Sequence, residues 1–139
     1  MTVSEIISMV DSRKANRVST AAKIDWLSNL DGQICRDVFE THEGNPVQGE
    51  FIGYVEGRDE DRQLLVPFPY NAVYRWYLES QIDLANNEIN KYTQSSTMFT
   101  NEYRAFADYW NRTHMPISTA GRFSFTELRK AGEADALSS

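Results

Sequence analysis

Seven residues between Ile89 and Trp110 recur at alternating steps of three and four: Ile89, Tyr92, Ser96, Phe99, Tyr103, Phe106 and Trp110. That spacing lays the seven on one stripe of an α-helix and excludes a strand, whose side chains change face at every residue. Just before it, Val73, Tyr77, Ser80 and Leu84 make a second stripe, which Tyr74, Trp76, Leu78, Ile82 and Ala85 widen almost all round. A helix apolar on most sides needs neighbours on most sides. The whole stretch opens at Pro67 and closes at Pro116. One unbroken helix over 71–114 would be a rod of roughly 65 Å, too long for a chain of this size. Asn86 and Asn87, poor helix formers that tolerate left-handed backbone, supply the break, with Asn87 expected to end one helix and cap the next. The run 93–97 is weak helix sequence and a candidate kink.

The chain ahead of this stretch is also read as helical. Thr2 and Glu5 form a capping box before Ile6, Ile7, Met9 and Val10, predicting a helix from Val3 to Lys14. Ser19 is a second N-cap candidate. Behind it Ile24, Leu27, Leu30, Ile34 and Val38 recur at three or four, flanked by Trp26, Cys35 and Phe39, as far as about His42 with Gly44 as the stop. Residues 44–66 differ. Phe51, Ile52, Tyr54 and Val55, and again Leu64, Leu65 and Val66, are β-prone around the polar segment 56–63, so a short β-hairpin or an extended loop is expected. The predicted fold is all-α: a small helical bundle on a long antiparallel helix hairpin, with the 44–66 insertion and an extended C-terminal tail. Residues 1–116 form the domain and 117–139 the tail or arm. Its expected core includes Trp26, Leu30, Ile34, Tyr77, Phe99, Tyr103, Phe106 and Trp110.

Charge limits the partners. The net charge is −6 and no segment is basic, so the electrostatic footprint of a nucleic-acid binder is missing. Asp25, Asp31, Asp37 and Glu40 on the second helix are likewise wrong for a major-groove reader. No apolar run approaches about 18 residues and no signal-peptide pattern follows Met1, so no membrane association is expected. Cys35, the single cysteine, is read as a small buried hydrophobe.

Catalytic constellations are absent from the sequence, and no cofactor or metal is expected. His42 and His114 fall at predicted helix C-termini, where a partly charged imidazole is favoured. Asp59-x-Asp61 resembles the start of a calcium loop, but Leu64 stands where its glycine belongs and Tyr70 where its closing glutamate belongs. The protein is read as a non-enzyme. Beyond Pro116, Phe123 and Phe125 alternate with Ser124 and Thr126 as in a strand without a sheet. The two rings either fold back on the helical core or belong to an arm that docks on another chain.

The capped first helix carries a likeness to a known family, together with Ile24-Asp-Trp-Leu27 through Asp31-Gly-Gln-Ile34, Thr41-His-Glu-Gly44, Leu65-Val-Pro-Phe-Pro-Tyr70, Gln81–Glu88 and Asn111-Arg-Thr-His-Met-Pro116. Over roughly residues 2–116 the chain resembles the small helical head–tail connector, or head-completion adaptor, proteins of long-tailed bacteriophages and prophages. The resemblance implies a helical wedge, made in the host bacterial cytoplasm, whose copies form a homo-oligomeric, dodecameric ring under the portal protein in the virion neck. Such a ring extends the DNA channel, lets DNA pass without specific binding, and docks the next neck or tail-completion protein. Head-to-tail contacts generate rings when the rotation closes, and a net negative lining suits a channel that must not grip DNA. On that reading Arg122, Phe123, Phe125 and Leu128 are portal-contact candidates, and Phe51, Tyr54, Asp59, Glu60 and Asp61 are ring or tail-side candidates. The rival expectation is a small helical regulatory or adaptor protein that binds one protein partner and forms no ring.

Overall fold

The computed structural model describes residues 1–117. The protein is all-α: among the described residues there are four α-helices, one π-helical turn and no strand. Helix α1 spans Val3–Arg13, and both halves of its capping box form, Thr2 accepting from the Glu5 amide and Glu5 from the Thr2 amide. Helix α2 spans Thr20–Ile34, with the Ser19 hydroxyl accepting from the Ala22 amide. Instead of continuing to His42 it widens into a π-helical turn, Cys35–Phe39, closed by the Glu40 amide on the Cys35 carbonyl at 2.8 Å. The neighbouring pairs Ile34/Cys35 and Val38/Phe39 are all buried there, a broader inward face than the predicted stripe.

Helix α3 spans Ala72–Ala85 and α4 spans Ile89–Thr113. Asn86 caps α3, Asn87 takes the left-handed conformation (φ 59°), and Glu88, not Asn87, holds the N-cap position of α4. The chain therefore doubles back, so that the Ser95 hydroxyl meets Asp83, Phe99 meets Tyr77 (ring centroids 5.0 Å) and Tyr109 stacks on Tyr70 (4.9 Å). Helix α4 runs unbroken through its weak stretch 93–97. The hydroxyls of Thr93, Ser95, Ser96 and Thr97 bond back to carbonyls three or four residues earlier, which carries the helix across its polar run.

The core joins Ile6 and Val10 of α1, Leu27, Leu30 and Ile34 of α2, and Val73, Tyr74, Leu78 and Ile82 of α3. Helix α4 contributes Phe106 and Trp110, whose rings pack on Phe39 at 5.9 and 4.7 Å. Four side chains expected in this core, Trp26, Tyr77, Phe99 and Tyr103, are only half-buried against its edge, and Ile89 at the start of the α4 stripe is exposed.

Residues 44–66 form neither a hairpin nor a paired strand. Left-handed φ values at Gly53 (92°) and Gly57 (87°) turn the backbone twice within five residues, so 51–55 never lies flat beside 64–66. The chain just ahead of the second β-prone segment pairs instead with the start of the protein, by an isolated bridge between Thr2 and Gln63, and the Leu64 amide donates to the Met1 carbonyl at 3.0 Å. The Arg62 and Glu60 carbonyls accept from the Val3 and Ser4 amides at 3.1 and 2.9 Å, satisfying donors that the first turn of α1 leaves free.

Candidate functional site

The excursion 44–66 is held to the helices by one buried carboxylate. Asp31, on the inward face of α2, is completely buried. Its Oδ2 accepts from the Tyr54 hydroxyl and, at 3.2 Å, from the Leu65 amide; its Oδ1 accepts from the Tyr74 hydroxyl at 2.6 Å. The Tyr74 oxygen in turn accepts from the Val66 amide at 2.7 Å. One side chain of α2 thus ties both arms of the excursion to each other and to α3. Burial pushes the Asp31 carboxyl up to about 6, against the opposing pull of the Tyr54, Tyr74 and Leu65 donors. Burial, then the Asp31 charge, holds both tyrosine hydroxyls well above their ordinary range, so they remain donors. Ser28, one turn earlier on α2, adds a second tie: its Oγ accepts from the Tyr54 amide at 2.7 Å and donates to the Tyr54 carbonyl at 3.3 Å.

The five residues of the excursion singled out from the sequence separate in space. Tyr54 is buried, with its hydroxyl spent on Asp31, and Phe51 packs edge-on against it at 5.3 Å, half-buried. Asp59 is only 3% exposed; its carboxylate accepts from the Val55 amide (2.7 Å) and from Arg58 (2.9 Å), with Arg62 at 3.6 Å. The hydrogen bond from Arg58, seconded by the Val55 amide and Arg62, holds that carboxyl below the usual range. Glu60 accepts from the Gly57 amide. The acidic tip is therefore a turn that satisfies itself, and of the five only Asp61 is an exposed side chain. Tyr54 and Asp59 act as internal ties that fix the shape of the loop. Arg122, Phe123, Phe125 and Leu128 lie outside the described residues.

Among exposed polar residues such as Gln48, Glu50, Glu56, Arg58 and Asp61, the excursion also leaves apolar side chains in solvent. Ile52 is 75% exposed, Val55 48%, and Phe68, just past the excursion in a turn with a cis Phe68–Pro69 bond, 84%. The composition of the segment does not separate these from Phe51 and Tyr54, which face in. Asp31 was also hidden, as one of several charges on α2. The available signal was its place on the stripe, four residues from Leu27 and three from Ile34.

Three further buried charges brace the helices. Lys23 meets Asp11 at 2.6 Å, Asp83 meets Lys14 at 2.7 Å and Ser95 at 2.8 Å, and Glu79 meets Arg75 at 2.8 Å and Arg13 at 3.4 Å. These pairs tie α1 to α2 and α1 to α3. Among the described residues no group of three or more His, Cys, Asp or Glu side chains could hold a metal ion, and no helix is long and apolar enough to cross a membrane. No family model matches the chain, and no curated protein or solved structure is significantly similar to it.

Proposed function

We propose that the protein is a structural assembly component that works through interface geometry, and that its assembly is the head–tail connector ring suggested by its sequence. The observation that carries this reading is the excursion itself: a long irregular segment, pinned by Asp31, that leaves Ile52 and Val55 in solvent, with Phe68 exposed just beyond it. Isolated apolar side chains on a protein surface are ordinary. Ile52 and Val55 flank Tyr54, which Asp31 holds in place, and a contact made from such a braced segment loses less conformational entropy on binding than one made from a flexible loop. In the connector reading this segment contacts the neighbouring subunit or the tail-side protein. The α3–α4 pair is the spine of the wedge, residues after Pro116 reach the portal, and the net negative charge lines a channel through which DNA passes unbound.

Electron microscopy of the protein alone and after mixing with its portal tests this. Rings coaxial with the portal are expected, and the double substitution Ile52→Asp with Phe68→Ser is expected to abolish them while leaving the helical fold intact. A protein that stays monomeric and ignores the portal would refute the connector reading and leave a small adaptor with a single protein partner.

A further inference from the structure

The aromatic stripe of α4 is left partly open where it passes the C-terminal end of α2. A groove of 370 Å³ lies there, lined by Gln33 of α2 and by Phe99, Thr100, Tyr103, Arg104 and Ala107 of α4. Phe99 and Tyr103 meet edge-to-face at 5.8 Å on its wall, each ring half-buried. Asp37 is close enough that its charge adds to burial in pushing the Tyr103 hydroxyl up. An apolar groove walled by two half-buried rings suits a segment that carries aromatic rings of its own, while Arg104 on the wall offsets the charge of Asp37.

The chain owns such a segment, Arg122-Phe-Ser-Phe-Thr-Glu-Leu-Arg-Lys130, with three basic groups against one acidic group in a protein that is otherwise negative. Its tether starts in the right place. After α4 the chain is fastened beside the π turn: the Ile117 amide donates to the Thr41 carbonyl at 3.0 Å, the Glu43 amide donates to the Met115 carbonyl at 2.8 Å, and His42 and Pro116 form an isolated bridge. From Thr113 back to Tyr103 along α4 is about 15 Å, and back to Phe99 about 21 Å. Six extended residues from Ile117 to Phe123 reach about 20 Å, and eight to Phe125 about 26 Å. The spacings also agree. Residues two apart in an extended chain share a face at about 6.6 Å, and Phe99 and Tyr103, four apart on a helix, repeat at about 6 Å.

We propose that this groove is the seat of the chain's own Phe123 and Phe125, bound within the same molecule. The inference stands apart from the connector ring, and it replaces the portal contact for Phe123 and Phe125, since rings seated in this groove are not free to reach the portal. Hydrogen exchange of the full-length protein, read by mass spectrometry on peptides covering 99–107, tests it against the Phe123→Ser, Phe125→Ser double variant. Losing two seated rings is expected to speed exchange at these amides by about tenfold or more, with α1 unchanged. Unchanged exchange in the variant would overturn the proposal. A second measurement separates one molecule from two. The slow exchange at 99–107 in the full-length protein is expected to be independent of protein concentration, as a contact within one molecule must be. Protection that appears only as concentration rises would overturn it.

Discussion

Replacing Asp31 with Asn should change the pH dependence of stability in a way that exposed carboxylates cannot. The folded carboxyl lies at about 6 and an unperturbed aspartate at 3.8. The folded protein therefore holds this proton more tightly than the unfolded chain. Its contribution to stability is complete below the unfolded value and is lost as pH rises through about 6. A difference of about two units corresponds to about 3 kcal/mol when fully expressed, and to about 2 kcal/mol between roughly pH 4.5 and pH 7.5. Asparagine keeps the shape and one acceptor oxygen, but it cannot serve all three of Tyr54, Tyr74 and Leu65 and does not titrate. At acid pH Asp31→Asn should thus be less stable than the wild type by about 1–3 kcal/mol, and the gap should shrink, and even reverse, toward neutrality. Urea unfolding followed by tryptophan fluorescence at several pH values gives the difference directly, and residues common to both proteins cancel. A gap that stays constant or widens as pH rises would refute the reasoning. It would mean that the three donors outweigh burial and hold the carboxyl at or below its ordinary value. Asp31→Ala, which strands all three donors, should be the more damaging change at every pH.

Gly44→Ala should lower the melting temperature, at a cost of about 1–3 kcal/mol. Gly44 has φ +84°, and an added Cβ would lie 2.7 Å from Cδ2 of His114, whose ring is stacked on Trp110 at 3.6 Å and has little room to swing away. Cys35 should resist thiol reagents in the native protein at mildly alkaline pH, because burial, with the charges of Asp31 and Glu40, raises its thiol to about 11; rapid labelling without denaturant would contradict this. Phe106→Ala should cost about 3–5 kcal/mol in urea unfolding, since the ring is buried among Phe39, Tyr70 and Trp110. Phe99→Ala, at the half-open end of the same stripe, should cost clearly less.

Whatever one helix encodes by itself could be read from the sequence. The capping box at Thr2 and Glu5, the Ser19 cap, the break at Asn86–Asn87 and the apolar faces of α1 and α2 each depend on residues within a turn or two of one another, whereas the predicted stripe of α3 included Leu84, which is exposed. Legibility failed wherever the outcome depends on what a distant segment brings. The stripe of α4 named Ser96 as its polar member, yet Ser95 is the buried serine, because Asp83 across the pair accepts its hydroxyl. Residues 51–55 and 64–66 were β-prone, yet neither pairs with the other. The second is tied instead to the start of the chain, the Leu64 amide donating to the Met1 carbonyl, and the turns at Gly53 and Gly57 carry the first away.

The buried charges make the same point more sharply. A hydrophobic-stripe reading counts apolar residues and treats a polar one as an interruption or as part of the solvent face. Lys23 and Asp31 both fall in register with Leu27 on α2, and Glu79 and Asp83 with Leu78 and Ile82 on α3, and all four are buried. A charge on an apolar stripe is expensive to bury unless a partner arrives from elsewhere. Each such position therefore predicts a partner without naming it. For Asp31 the partners are the two tyrosines and the Leu65 amide, which lie 23 to 43 residues away. That is why the excursion could be recognised as exceptional from its composition, while the residue that shapes it could not be identified until the helices and the loop were seen together.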